Sequence, residues 1–423
     1  MIDQVDLSTK LQEFLKKSVL LEEDWKNLND FVTQIHVPEN KIIETRPFEL
    51  EDFASITFIT KQCFNILESL FSNQIKLDFD DKYCRECLNC IYSIILLCGE
   101  HSSQNLWTND ECIDLSNKIL KKVLKVLKCQ NLISFLMQVD DKRKFHGTNI
   151  FNLMIPKLTI DKWRFYPSLV QSYSWLLHFI SIPNMKEYIN LTLPVSLIIL
   201  SDYTIESKII GLECLHHIIS NVSKAELHWH IQIEVLHKVL KPLFYYREWD
   251  LIVPLIKCTL EVIEKTKPGF KDSGIDLQWS YLDDVLNIFL PMMEFEQDIL
   301  RRQAYSKSLY LILNSSNFAI GRWSERLLRI IRDYTKMPDT ELEAVKTLNS
   351  YIRICWPLVK NHRRLITVIA GRIVYRSMNK EAIAESEIIL QMLNEFIPNE
   401  SDYIDIEYIK QRKEKNELQK NDS

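Results

Sequence analysis

Apolar residues recur at spacings of three and four along almost the whole chain, and this period restricts the possible folds more than any other feature. Between Ile205 and Val222, the residues Ile209, Leu212, Leu215, Ile219 and Val222 step by 3, 3, 4 and 3, and Ile218 widens the stripe. Side chains so spaced share one face of an α-helix, whereas a half-buried strand alternates every second residue. From Asp298 to Leu313 the same pattern sets Leu300, Ala304, Leu309, Leu311 and Leu313 on an inner face, among Arg301, Arg302, Gln303 and Lys307. A lone amphipathic helix is marginal in water, so each stripe needs a neighbouring helix to cover it. Seven Gly in 423 residues leave few positions for the positive-φ turns of β-hairpins. The expected class is all-α.

A chain of this length exceeds what one compact core can absorb, so it must divide into domains or extend as a repeat array. Counting between helix breakers gives roughly eighteen helical segments, or about nine pairs, near the repeat length of HEAT and armadillo units. Pro167, Pro183, Pro291, Pro338 and Pro398 stand at the edges of periodic segments, where a missing N–H costs least. Pro194, Pro242, Pro254 and Pro357 fall inside or near the ends of such segments, where a kink or a helix end is expected. Two stretches, from Pro291 and from Met337, carry the order Pro, then Asp, then a small Ala. Asp suits a helix start, where it accepts from orphan N–H groups and complements the dipole. The expected architecture is therefore a HEAT/armadillo-like α-solenoid of stacked antiparallel helix pairs. The polar, turn-rich "DDKRKFHGTN" from Asp140 suggests a division into residues 1–139, residues 140–400 and a polar tail, 401–423, that is partly disordered.

Hydrophobic residues at 46% and charged ones at 26% are ordinary for a folded soluble chain. The start lacks a basic stretch followed by an apolar one, and the most apolar runs, Ile91–Cys98 and Leu191–Leu200, are far shorter than a membrane span. A cytoplasmic or nuclear protein is expected, with its ten Cys reduced and its Asn-x-Ser/Thr sites without meaning. The net charge of −5 argues against a chain devoted to phosphate backbones. From Phe295 to Lys380, however, 16 Lys and Arg face 7 Asp and Glu, a local +9. This stretch suits either docking of an acidic partner or the solvated outer faces of helices.

Few residues carry spacing suited to chemistry. Cys84, Cys87 and Cys90, with Cys98 further on, resemble an iron–sulfur ligand run, but they also share one helical stripe with Ile91 and Ile94, where reduced Cys acts as a small apolar residue. His216, His217, His228, His230 and His237, near Cys214, lack zinc-site spacing. No Gly-rich phosphate loop or G-x-S-x-G elbow occurs. Asp283 and Asp284 are helix neighbours that diverge by about 100°, which suits capping and not paired carboxylate catalysis. Arg322, Arg326 and Arg329, at i, i+4 and i+7, form a candidate basic ridge. With Arg301, Arg302, Trp249 and Trp356 they are the candidate partner-binding residues, and Trp163 is a further aromatic to follow.

The stretch "DYTIESKIIGLECLHHIISNVSKAEL" from Asp202 resembles the family of the second Tel-two-interacting protein, the small subunit of the TTT co-chaperone complex. The similarity continues through "VLHKVLKPLFYYREWDLI" from Val235, "DDVLNIFLPMM" from Asp283, "DILRRQAYSKSL" from Asp298 and "LNSYIRICWP" from Leu348, and it covers roughly residues 160–360. Upstream, "SYSWLLHFI" and "LTLPVSLIILSD" also look like the family, whereas the first 130 residues diverge. The resemblance implies a HEAT-like scaffold without catalytic residues, cofactor or metal, which binds the larger Tti subunit and the Tel-two subunit. Through chaperone adaptors such a scaffold supports maturation of phosphatidylinositol-3-kinase-related kinases. Neither membrane nor nucleic acid is among the expected partners. The other readings are a different helical-repeat adaptor, such as a transport receptor or coat scaffold, and a metal or iron–sulfur protein using Cys84, Cys87, Cys90 and Cys98.

Overall fold

A computed structural model describes residues 20–44, 46–72, 85–140, 142–230, 233–266, 278–396 and 406–421. Among these residues there are nineteen α-helices, six 3-10 turns and a single isolated bridge, Val139 to Phe145. The chain forms two compact units, Met1–Val222 and Ser223–Ser423. The expected division at 139/140 lies within the first unit. There Asp140 accepts from the backbone N–H groups of Lys142 and Lys144, and the Gln138 amide reaches Cys129 Sγ at 3.5 Å. A tight polar turn folded onto its own unit has the same composition as a linker.

The first unit contains α1 (Glu22–Ile35), α2 (Ala54–Ser72), α3 (Arg85–Glu100), α4 (Asp110–Val126), α5 (Leu132–Leu136), α6 (His146–Met154), α7 (Pro167–His178), α8 (Ile189–Leu200) and α9 (Ile205–Ser220). Helix α3 packs on α1 and α7, α2 on α4, and α8 on α9. In α9, Leu212, Leu215, Ile218 and Ile219 are fully buried, as the stripe requires. Gly211 sits where α9 crosses α8, and a Cβ built there would lie 2.6 Å from Leu200 N.

The second unit contains α10 (Lys224–His230), α11 (Ile233–Leu240), α12 (Trp249–Thr266), α13 (Tyr281–Phe295), α14 (Ile299–Asn314), α15 (Ser324–Tyr334), α16 (Pro338–Ile354), α17 (Trp356–Arg376), α18 (Lys380–Phe396) and α19 (Ile406–Asn421). From α12 onward each helix packs on the second next. One row is α12, α14, α16 and α18, and the other is α13, α15, α17 and α19. Such nearest-neighbour packing is the signature of a helical-repeat stack. Four hydrogen bonds repeat at a separation of 36 residues: Ser350 Oγ to Asn314 Oδ1, Asn349 Nδ2 to Glu385 Oε2, Ser377 Oγ to Glu341 Oε2, and Lys413 Nζ to the Ser377 carbonyl. Side chains one repeat apart therefore recognise each other.

The prolines divide as the physics of the missing N–H allows. Pro167, Pro338 and Pro357 occupy the first turn of a helix and Pro242 that of a 3-10 turn, Pro194 and Pro254 lie inside helices, and Pro291, expected at an edge, also lies inside α13. Pro398 lies outside the described residues. Asp298 caps α14 by accepting from the Arg301 N–H, and Ala304 and Ala344 are buried at close helix contacts.

Candidate partner-docking surfaces

The α13–α14 turn shows how one short sequence builds an exposed apolar rim. Glu296 turns inward, and its carboxylate accepts from the N–H groups of Gln297 and Asp298 and pairs with Arg301 at 2.9 Å. Burial pushes the Glu296 carboxyl up, but these backbone and Arg301 bonds prevail and hold it below its ordinary value. The apolar residues flanking the turn point outward, with Phe295 80%, Ile299 50% and Leu300 49% exposed. The start of α12 belongs to the same rim, because α12 and α14 pack side by side in one row. Tyr245, Tyr246 and Trp249 are exposed there, and Tyr246 shares a small pocket with Leu251, Phe289 and Tyr305. Burial and then Glu296 push the Tyr305 phenol up, while Arg247 and Arg301 pull it back, which places Arg247 beside α14. Large aromatic and aliphatic side chains grouped on a surface mark interaction sites.

Leu300, expected on the inner face, is thus a rim residue, because it lies in the first turn of α14 before the helix enters the stack. Phe295 and Ile299 were not among the residues expected from sequence. Their signal was available in two apolar groups bracketing the polar Glu296–Asp298 turn.

Several arginines of the expected basic stretch are engaged by carboxylates of the same unit. Arg302 is buried with its guanidinium carbon 4.0 Å from the Tyr334 ring centroid, and it donates to the Glu296 carbonyl and the Asp333 carboxylate. It cannot reach a partner. Arg322 lies in the 3-10 turn Phe318–Trp323, not on α15, and pairs with Asp283 at 3.1 Å. Arg326 grips Glu294 through Nε and Nη2 at 3.0 and 3.1 Å. Arg322 is exposed despite its ion pair, and Arg329 lies on the exposed outer face of α15. Asp283 also closes a capping box with Ser280 and accepts from the Trp323 indole, while Asp284 accepts from Trp279, so the two neighbouring carboxylates serve different ends.

Trp356 is 62% exposed and, with Arg353, Ile388, Gln391, Met392 and Glu395, lines an open groove of about 670 Å³. Trp163 is buried. Cys84 lies outside the described residues; Cys87, Cys90 and Cys98 are buried on α3. Burial pushes the Cys98 thiol up to about 12, and it donates to the Ser116 carbonyl. The histidines disperse. His217 donates to the Ile180 carbonyl at 2.8 Å, His237 stacks on Tyr281 at 3.6 Å, and His216 lies within 3.5 Å of Ser220 Oγ. His228 stands on α10, and the His230 side chain is outside the described residues. Cys214 is buried, and burial pushes its thiol up to about 12. Among the described residues no three His, Cys, Asp or Glu side chains gather closely enough to hold a metal ion, and no helix is long and apolar enough to cross a membrane.

No family model matches the chain. Over 267 residues, 61% of its length, it is 29% identical to TELO2-interacting protein 2 of Homo sapiens, and it is 26% identical to the Rattus norvegicus protein of that name over the same length. The Mus musculus protein is 27% identical over 265 residues. Each match takes in 52% of the relative, so the chain spans about half the length of the curated relatives it matches. These homologues are consistent with the family resemblance. Among solved structures, a chain of the Kap95:Nup1 complex matches with a TM-score of 0.52 at 9% identity, covering 89% of this chain and 48% of that one. This likeness shows the fold, a helical-repeat solenoid.

Proposed function

We propose, from homology to TELO2-interacting protein 2 as the premise, that this chain is a scaffold subunit with no catalytic centre of its own. Its partners on this reading are the Tel-two subunit and the larger Tti subunit of a TTT co-chaperone assembly, in the cytoplasm and nucleus. Through that assembly it supports chaperone-dependent maturation and stability of phosphatidylinositol-3-kinase-related kinases. The relatives' printed name supports the Tel-two contact. The observation that carries the scaffold reading is the exposed rim of Tyr245, Tyr246, Trp249, Phe295, Ile299 and Leu300. Burying aromatic anchors of this kind supplies most of the binding energy of a protein interface.

Affinity purification of the tagged chain from native extract tests this reading. Stoichiometric recovery of Tel-two and large Tti homologues is the expected result, with loss of both on Phe295→Asp combined with Leu300→Asp. Recovery of nuclear-pore or vesicle-coat proteins without kinase-assembly factors would replace it with the transport or coat reading.

A further inference from the structure

The first unit carries a basic face that the docking rim does not use. On α4 the residues Lys118, Lys121 and Lys125 follow one another at i, i+3 and i+7, Lys128 stands two residues beyond the helix end, and all four are exposed. This spacing keeps the three helical lysines within one stripe about 10 Å long, opposite the buried Cys112, Ile119 and Val123. The neighbouring Lys122 differs, since it turns towards α2 and pairs with Glu68 at 2.8 Å. Lys118, Lys121 and Lys125 have no ion pair among the described residues. At the C-terminal end of the stripe the 138–146 hairpin folds alongside, with Gln138 on Cys129, and carries exposed Lys142, Arg143 and Lys144. Asp140 within it is turned inward, accepting from the Lys142 and Lys144 N–H groups and the Asn149 amide.

A second observation marks the same place. Lys128, with φ 53°, and Arg143, with φ 59°, are the two non-Gly residues of positive φ among the described residues. Lys128 ends α4 where the Cys129 N–H bonds back to the Leu124 carbonyl, a helix terminus that ordinarily takes Gly. Both positions carry a basic side chain in a backbone conformation that disfavours one, on adjoining parts of one face.

We propose that this face, from Lys118 to Lys128 and across Lys142–Lys144, is a docking site for a short acidic protein segment rich in Asp and Glu. Charge complementarity supplies the attraction. The limits of the stripe select the partner class. Asp110 and Asp114 stand exposed on the same side of the first turns of α4, so a nucleic-acid backbone running along the helix would meet them, whereas a short acidic peptide ends before them. Among the described residues no stack of exposed aromatic rings of the kind that holds single strands adjoins the seven cations.

The test uses the full chain, a fluorescein-labelled peptide of alternating Asp and Glu, its Asn/Gln counterpart and a short labelled DNA duplex, compared by anisotropy at low and physiological salt. The acidic peptide is expected to bind, to weaken with salt, and to lose about tenfold in affinity on Lys121→Glu with Lys125→Glu. Lys121→Arg with Lys125→Arg should retain binding. Lys128→Gly should weaken the peptide while raising Tm by about 2 °C, separating function from fold. Absence of peptide binding, equal binding of the Asn/Gln counterpart, tighter binding of the duplex, or charge reversal without effect in a chain of unchanged circular dichroism would each overturn the proposal.

Discussion

Single residues carry more of this fold than their chemistry announces. At Gly211 an added Cβ meets the backbone of Leu200, N at 2.6 Å and Cα at 2.7 Å, which no rotamer change relieves. Gly211→Ala gains about 1 kcal/mol of helix propensity but forces α8 from α9. We expect a net loss of about 1–3 kcal/mol in urea unfolding, larger than for a substitution on an outer face. His101 is buried between Thr108, its hydrogen-bond partner at 2.8 Å, and the Phe64 ring. Burial drives its imidazole down to about 4 against a smaller upward pull from Glu100, and His36 adds to the lowering. Because the folded value is depressed below the ordinary 6.5, the neutral ring's contribution is complete above that pH and disappears as the pH falls towards 4. The contribution is at most about 3 kcal/mol. His146 and His217, both lowered chiefly by burial, act in the same direction. Denaturation midpoints should therefore fall between pH 6.5 and 4, and His101→Gln should flatten that dependence.

At the level of elements, the row of α12, α14, α16 and α18 is held by apolar faces and specified by polar links. Arg302 on α14 ties this row to the other, since it covers the Tyr334 ring of α15 and bonds the Glu296 carbonyl and the Asp333 carboxylate. Burial raises the Asp333 carboxyl, but bonds from Lys336 and Arg302 hold it below its ordinary range. Asp333 is 44% exposed, so it rehydrates when Arg302 is removed, and the cost comes mainly from lost packing and the orphaned carbonyl. Arg302→Ala should cost about 2–3 kcal/mol in chemical denaturation and Arg329→Ala less than about 0.5 kcal/mol. Helix existence was legible because burying Leu212, Leu215 and Ile219 on one face imposes the three-and-four period. The identity of the outward residues was less legible. Leu300 follows the apolar period and yet lies on the rim, because the period reports a helical face and not where along the helix its neighbours end.

For the molecule as a whole, the proposed partner contact rests on the exposed rim of the second unit. The rim variants Phe295→Asp with Leu300→Asp change exposed positions, so circular dichroism and Tm should stay within experimental scatter while recovery of the large partner falls at least about tenfold, as expected for hot-spot loss. Arg322 and Arg326 are unsuitable probes of docking, because reversing either leaves Asp283 or Glu294 facing a like charge inside the stack. Trp249 and Trp356, both selected from sequence as candidate anchors, are exposed; Trp163 is buried. Indole chemistry suits either environment, and only the arrangement of neighbouring helices separates them.

The sequence by itself determined the all-α class, the helix starts at Asp298 and Pro338 and the apolar stripe of α9, since these depend on the period of side chains around one helix and on the hydrogen-bonding needs of its ends. The tertiary structure decided which charges reach solvent and where the first unit closes. Arg302 and Arg329 are both helical arginines in one basic stretch, yet one is buried against Tyr334 and the other exposed. The polar run at Asp140 reads as a boundary and folds as a hairpin against Cys129. Burial depends on which helix comes to lie alongside, and that neighbour is brought close by contacts between residues far apart in the chain.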